Sequence, residues 1–309
     1  MKHKFPPLWV WGSTLGLVVL VVLLIGSSGL IDIRNGFGAN YSSFKNRLEQ
    51  LRSTYEITEA DKVAVIIGSS FTAMAVDHRP FFHEVYQRQH GGNLHVIKLY
   101  MYGCNAQALQ KLPDFFEMAG YLEPDVVCVE EHLLAIDEQQ GASGNLSLPA
   151  WLSDFHLGIS AIRKYVFPEA DSEERHDLAT FEFFWKYHEE SYQADSLAVG
   201  PTPSFQVRSY SQNKQVNRWF SKYLPEDAEL VCISIPRPPY VEQELTKIRQ
   251  AADFLSLKQE YQNQLGVDFW VFSDILPYAM YSGDDHLNAE GMRRYSDWLY
   301  QQIEKQFHP

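Results

Sequence analysis

The stretch that decides the fold runs from Lys62 to Asp77 and reads KVAVIIGSSFTAMAVD. Its opening residues, KVAVII, are short, apolar and β-branched, which is typical of a buried strand. Gly68, Ser69 and Ser70 follow where a turn into a helix is expected. Such a turn places the Ser70 hydroxyl at the end of the strand, beside helix N–H groups that have no partner within the helix. The stretch therefore predicts a strand, a turn and a helix, with a serine hydroxyl presented at the turn.

Four further apolar runs have the same character. They are Leu94–Met101, Asp125–Val129, Glu229–Ile235 and Val267–Phe272. Helix-like patterns lie between or after them, at 79–88, 105–119, 241–264 and 289–306. This alternation predicts an α/β fold, with a doubly wound, mainly parallel sheet of about five strands covered by helices. In such sheets the functional site gathers at the carboxyl ends of the strands.

Length and charge set the domain plan and exclude one class of partner. The 309 residues are interpreted as a segment 1–34 that carries a membrane anchor, a connection 35–59 and a domain 60–309. Within the domain the strand–helix pattern breaks at about 137–226, which predicts an insertion. The formal net charge is −13, and an acidic body repels phosphate backbones, so no nucleic-acid partner is expected.

The N-terminal run predicts a transmembrane helix. No charged side chain occurs from Phe5 to Ile31, and residues 8–30 supply the roughly 20 apolar residues that a bilayer span requires. Lys2 and Lys4 precede the run, which places the N-terminus in the cytoplasm and the domain outside it, in the periplasm or at the cell surface. A cleaved signal peptide is the alternative, because small residues follow the run at 26–29.

The C-terminal part supplies a candidate acid–base pair. Asp284, Asp285 and His286 stand directly before the last predicted helix, in the sequence SGDDHLNAEG. A serine nucleophile needs a base, and that base needs a carboxylate that fixes its tautomer, so this pairing fits a serine mechanism. The alternatives are an exposed acidic turn and a helix cap at Asn288.

Taken together, the two ends of the domain resemble the SGNH (GDSL-like) hydrolase superfamily. A Gly-x-Ser turn follows the first strand, and HLNAEG lies before the last helix. The chain is most similar to the membrane-anchored bacterial branch linked to polysaccharide O-acetylation. The resemblance implies that Ser70 is the nucleophile, that His286 is the base, and that the N–H groups of Ser70 and Gly103 form an oxyanion hole.

The chain departs from the family pattern at two places. Gly283 stands where the family usually has its acid, so the resemblance assigns that role to Asp284, with Asp285 as the alternative. The family's third block supplies an oxyanion-hole asparagine after the third strand, but this chain reads CVEEHLL there, at 128–134. Asn105 from the neighbouring loop is a candidate substitute, and a helix cap is its competing role.

The remaining candidates are secondary. Ser69, His132 and Asp285 are predicted to line the substrate site, and a hydrogen-bonded structural histidine is the alternative for His132. Glu130 and Glu131 suggest a metal alternative, yet no histidines stand at ligand spacing, so no metal is expected. The serine mechanism implied above needs no organic cofactor either. Aromatic residues at 181–187 fit either a sugar-stacking wall or a packed helix. Cys104, Cys128 and Cys232 are too few for a disulfide framework and are assigned no role.

Two functional hypotheses follow from the sequence. The first is an extracytoplasmic, membrane-tethered serine esterase or O-acyltransferase acting on acetyl or other acyl groups of cell-surface glycans. Its partners would be a glycan or acyl-ester substrate and, for transfer, a membrane-bound acyltransferase that passes acyl groups outward. The second is a catalytically inactive scaffold or binding module of the same fold in a cell-envelope assembly. The sequence leaves hydrolysis and transfer open.

Overall fold

The computed structural model describes residues 12–13, 16–17, 37, 39–54, 58, 61–77, 81–139, 203–282 and 285–308. The chain divides into two compact units, residues 1–45 with 145–175, and residues 46–144 with 176–309. Most of the predicted membrane run 8–30, the aromatic stretch 181–187 and Asp284 lie outside the described residues. None of the helices within the described ranges is both long and apolar enough to cross a bilayer.

A parallel sheet forms the centre of the larger unit. In the described part of the chain, the sheet consists of five strands: β1 (Lys62–Gly68), β2 (Leu94–Tyr100), β3 (Val126–Glu130), β6 (Glu229–Ile233) and β7 (Asp268–Trp270). They pair in the order β2-β1-β3-β6-β7, and every pairing is parallel. Each coincides with one of the predicted apolar runs, so the predicted parallel α/β sheet is confirmed. The central strand β3 is buried along its whole length, as a sheet covered on both faces requires.

The described helices precede, alternate with and follow the strands along the chain. They are α1 (Ala39–Thr54), α2 (Ser70–Ala75), α3 (Phe81–His90), α4 (Ala106–Leu109), α5 (Asp114–Tyr121), α6 (Glu131–Leu134), α7 (Lys214–Tyr223), α8 (Pro239–Gln250), α9 (Ala252–Leu265) and α10 (Ala289–Phe307). Two predicted helices are divided. Pro113 separates α4 from α5 because its ring lacks an N–H and clashes with a continuing helix. An extended residue, Ala251, separates α8 from α9.

Short antiparallel ladders complete the described architecture. Strands β4 (Ile136–Gln139) and β5 (Ser204–Val207) pair with Ile136 opposite Val207 and Gln139 opposite Ser204. They form a two-stranded stem at the base of the segment 140–203. Strands β8 (Tyr281–Ser282) and β9 (His286–Leu287) form a second ladder directly before α10.

The parallel order brings the ends of distant strands to one edge. The backbone N–H of Met101, just after β2, donates to the carbonyl of Gly68 at the end of β1 at 3.3 Å. Glu130 ends β3, the other neighbour of β1. Because β1 lies between these two strands, the residues that follow all three meet around the turn that carries Ser70.

Candidate active site

The serine turn is organised by a helix cap. Ser69 is the N-cap of α2, and its hydroxyl oxygen accepts from the N–H of Phe71 at 3.2 Å. Ser70 is therefore the first residue of the helix, where backbone N–H groups have no partner inside the helix and favour negative charge. Ser69 itself is buried, so the turn presents Ser70 and not Ser69.

The buried carboxylate of Glu130 holds this turn by accepting hydrogen bonds from it. Glu130 is fully buried, and its Oε2 accepts from the N–H of Ser69 at 2.7 Å and from the hydroxyl of Thr72 at 2.7 Å. The Ser69 hydroxyl also donates to Oε1 at 2.9 Å. His132 Nε2 lies 3.1 Å from Oε1. A buried carboxylate needs such donors, because desolvation without them costs several kcal/mol.

Gly68 is required by this packing. An added Cβ there would lie 1.8 Å from the Thr72 Oγ1 and 2.8 Å from Oε2 of Glu130. The space a side chain would occupy is filled by the two groups that hold the turn. The sequence GSS is thus explained residue by residue: a glycine for space, a capping serine and a presented serine.

The histidine is placed by the short ladder and by the helix that follows it. His286 pairs with Ser282 across β8 and β9. Asn288 then caps α10, with its Oδ1 accepting from the N–H groups of Glu290 and Gly291 at 3.1 Å each. A Cβ at Gly291 would lie 2.5 Å from the carbonyl oxygen of Met280, so the glycine lets α10 approach the loop. The motif HLNAEG therefore sets the position of His286.

Ser70 and His286 meet although 216 positions separate them in the chain. The His286 Nε2 lies 3.2 Å from the Ser70 Oγ, within hydrogen-bond distance. The imidazole also stacks on the Phe71 ring, with 4.8 Å between centroids and 22° between planes. A base held against a ring on the same helix as the hydroxyl can remove the hydroxyl proton as the oxygen attacks an electrophile.

Of the two candidate acids, the structure describes only Asp285. Asp284 lies outside the described residues. Asp285 has a left-handed backbone, with φ of 63°. Its carboxylate accepts from the Tyr240 hydroxyl at 3.3 Å and lies 3.7 Å from the Arg237 guanidinium. Burial, and then the Asp285 carboxylate, raise the pKa of Tyr240, so this phenol stays a donor at neutral pH.

The two oxyanion-hole candidates after β2 have different local roles. Gly103 is exposed in the turn after β2 with φ of 68°, a left-handed conformation that favours glycine. Asn105 caps α4, with its Oδ1 accepting from the N–H of Ala108 at 2.9 Å. Asn105 thus acts as a helix cap, which was the alternative to an oxyanion-hole role in the sequence analysis.

His132 lies close to the pair. Its ring makes an edge contact with Phe71, with centroids 5.4 Å apart, and its side chain keeps 25% exposure. Phe71 thus touches both histidines, and His132 belongs to the surroundings of Ser70. The Glu130 contact at Nε2 fixes how its ring is oriented.

Three contributors escaped the sequence interpretation: Phe71, Arg237 and the turn-holding role of Glu130. Arg237 follows β6, and its guanidinium carbon lies 3.9 Å from the Phe71 ring centroid. The signal was present, because a charged residue in the loop after a parallel strand lies at the same edge as the serine. Its partners depend on strand order, which the sequence did not supply.

The described residues hold no group of three or more His, Cys, Asp or Glu side chains arranged for a metal ion. The three cysteines are buried and unpaired by disulfides, and burial raises the pKa of the Cys128 thiol. All three thiols lie in the core.

The fold and site define an α/β protein with a serine–histidine pair at the carboxyl edge of a parallel sheet. No family model and no curated protein matches the chain. Solved structures with some similarity include a lipase/acylhydrolase from Enterococcus faecalis, with TM-score 0.38, 12% identity and coverage of 79% of this chain and 96% of that one. A family two carbohydrate esterase from Clostridium thermocellum has TM-score 0.41 and 11% identity, and the match covers 82% of this chain and 65% of that one. A lipase from a goat rumen metagenome has TM-score 0.34 and 10% identity, and the match covers 79% of this chain and 97% of that one. TM-scores this low establish neither family nor activity.

Proposed function

We propose that this protein is a serine esterase or O-acyltransferase of the SGNH type, acting on acyl groups of cell-surface glycans. The observation that carries the proposal is the 3.2 Å contact between Ser70 Oγ and His286 Nε2 at the carboxyl edge of the sheet. The held serine turn and the stacked imidazole support it. The SGNH assignment is supported by the sequence resemblance.

The reaction follows from these positions. His286 takes the Ser70 proton as Oγ bonds to the acyl carbon, and the carbonyl oxygen becomes an oxyanion facing the N–H at the start of α2. The leaving alcohol departs with the proton from His286, and an ester of Ser70 remains. His286 then deprotonates water or a sugar hydroxyl, which attacks the ester carbonyl. The acyl group leaves as an acid or as a new sugar ester, and the proton returns to Ser70.

The glycan target and the location rest on the sequence. The apolar run 8–30 supports a tether with the domain outside the cytoplasm. The resemblance to the O-acetylation branch supports a polysaccharide acceptor. Transfer and hydrolysis share the acyl-enzyme and differ in whether the acceptor pocket excludes water.

A purified full-length chain tests the catalytic claim. Hydrolysis of p-nitrophenyl acetate and labelling by a fluorophosphonate are measured for the wild type, for Ser70→Ala and for Ser273→Ala, a change at an exposed serine. Loss of a triad serine costs on the order of 10⁶ in turnover, so Ser70→Ala should lose activity and labelling while the control keeps both. An acceptor oligosaccharide, followed by mass spectrometry, separates transfer from hydrolysis. Absence of Ser70-dependent activity and labelling would leave the inactive scaffold as the better hypothesis.

A further inference from the structure

Arg237 is a buried cation that contacts the site from a fixed loop. Its backbone N–H donates to Glu242 Oε2 at 3.3 Å, and its carbonyl accepts from the Tyr281 hydroxyl at 2.6 Å. Glu242 is itself paired with Arg249. Both sides of the Arg237 backbone are therefore anchored, and only 5% of the residue is exposed.

The guanidinium of Arg237 touches three elements that meet at the site. It lies over the Phe71 ring at 3.9 Å, and Phe71 follows Ser70. It lies 3.7 Å from Asp285 Oδ2, and Asp285 precedes His286. Both terminal nitrogens lie 3.4 Å from Glu138 Oε2, and Glu138 belongs to the β4–β5 stem. One side chain thus connects helix α2 (the serine helix), the loop that carries Asp285 and His286 (the histidine loop) and the β4–β5 stem.

These contacts are not those of an ion pair built for stability. Close guanidinium–carboxylate pairs have N···O distances of roughly 2.7–2.9 Å. Arg237 is shared at longer distances between two carboxylates, and its Nε is buried without a hydrogen-bond partner in the described structure. A buried, incompletely satisfied cation costs stability, which points to a role beyond stability.

We infer that Arg237 is a positioning residue for His286, and that Glu138 links the protonation of this histidine to the β4–β5 stem. The inference rests on the proposed function. Phe71 is the shared neighbour on which the imidazole stacks, so Arg237 fixes the surface that orients the base. The positive charge of Arg237 also disfavours the imidazolium form of His286. It thereby offsets the carboxylates of Asp285 and Glu138, which favour the imidazolium.

Ser70 on α2 contacts this base directly. The other charged and titratable groups are linked to it through neighbours: Arg237 and His132 contact Phe71, on which the imidazole stacks, and Asp285, which precedes His286, contacts Tyr240 and Arg237. Glu138 on β4 contacts Arg237, and Glu130 contacts His132. Removal of Arg237 takes away a cation and leaves Asp285 and Glu138 less compensated. Both effects raise the pKa of His286.

The stem provides a matched control. Arg208 is buried like Arg237, and it pairs with Asp137, the neighbour of Glu138 on β4, at 2.7 Å. In both pairs the arginine side chain is 6% exposed and the carboxylate side chain 36% exposed. Arg208 also donates to Asn213 and makes no described contact with Phe71 or Asp285. Asp137→Asn therefore removes an equivalent carboxylate without altering the partners of Arg237.

The test is a histidine NMR titration of the full-length chain, with the His286 signal assigned by its loss in His286→Gln. Arg237→Met should raise the pKa of His286 by about one unit, a shift of the size that neighbouring charges commonly cause, and Arg237→Lys should restore most of the wild-type value. Glu138→Gln should lower it, and Asp137→Asn should leave it unchanged. The acid limb of kcat/KM should move in the same directions.

The titration needs no turnover, so it separates this inference from the proposed function. Wild-type titration of His286 in both Arg237→Met and Glu138→Gln would overturn the positioning role even if Ser70-dependent activity is present. An equal shift in Asp137→Asn would also overturn it, since the effect would then come from the stem as a whole. If Arg237→Met fails to fold, Glu138→Gln decides, because its side chain is partly exposed.

Discussion

At the residue scale, Glu130 decides how firmly the serine is presented. Its carboxylate accepts from Ser69 and Thr72. Glu130→Gln keeps the size of the side chain but turns one acceptor oxygen into an NH₂ group that faces donors. Because hydrogen bonds to charged groups contribute about 1.5–3 kcal/mol, we expect the free energy of unfolding to fall by about 2–3 kcal/mol in urea titrations.

The control for this change is a partly exposed carboxylate. Glu244 pairs with Lys247 on the surface of α8, where an ion pair contributes about 1 kcal/mol or less. Glu244→Gln should therefore stay within about 0.5 kcal/mol of the wild type. A Glu130→Gln variant as stable as Glu244→Gln would show that the carboxylate does not hold the turn.

The identity of the acid is a second prediction at this scale. Asp285 is directed to Tyr240 and Arg237, which leaves Asp284 as our candidate for the triad. Asp284→Asn should lower turnover by on the order of 10⁴, as expected for a triad acid, while Asp285→Asn keeps most of it. Steady-state rates of the two variants decide the matter. Inactive Asp285→Asn beside active Asp284→Asn would reverse the assignment.

The sequence predicted Ser70 and His286 because each stands in a local pattern: a glycine-serine turn after a strand, and a histidine before a capped helix. Glu130 and Arg237 carry no such local pattern. Glu130 meets Ser69 across 61 positions only because β3 pairs with β1. Contacts of this kind follow from strand order, which apolar runs do not encode.

At the element scale, the end of the serine helix makes a pH-dependent contact. The Lys98 ammonium on β2 donates to the carbonyls of Ala73 and Val76 at 3.1 and 2.7 Å. Burial lowers the pKa of Lys98 to about 7, the Asp77 carboxylate opposes this shift, and the Arg47 cation adds to it. The last turn of α2 is therefore held by a group that changes charge near neutral pH.

The sign of the effect on stability follows from proton binding. Between the folded pKa of about 7 and the ordinary lysine pKa of 10.5, the unfolded chain keeps a proton that the folded chain has released. Stability due to Lys98 therefore rises with pH over this window and is lost as pH falls through 7. The unfolding free energy of the wild type minus that of Lys98→Met should be larger at pH 9 than at pH 6.5. A flat or falling difference would contradict the prediction.

Strand positions were predictable because buried parallel strands need continuous apolar runs, and VVCV at 126–129 is such a run. Helix ends were less so. The pattern at 105–119 is continuous in hydrophobicity, and only Pro113 marks the division into α4 and α5. The division at Ala251 has no sequence signal, since alanine favours helices and is extended here.

At the scale of the whole molecule, the anchor remains a prediction. If residues 8–30 span the membrane uncleaved, the mature protein should retain Met1 or Lys2 and should fractionate with membranes. Mass spectrometry of the mature N-terminus and carbonate extraction of membranes measure both. A mature N-terminus near Gly29 would instead identify a cleaved signal peptide.

The β4–β5 stem also has a consequence for how this chain can vary. Gln139 and Ser204 are directly opposite each other in the ladder, so the path that leaves the α/β body returns beside its starting point. Neighbouring strands lie about 4.8 Å apart, a gap that a two-residue Asn-Gly turn closes. The chain therefore leaves and re-enters this ladder at neighbouring positions, so the order of the five strands in the parallel sheet does not depend on the length of the sequence between Gln139 and Ser204.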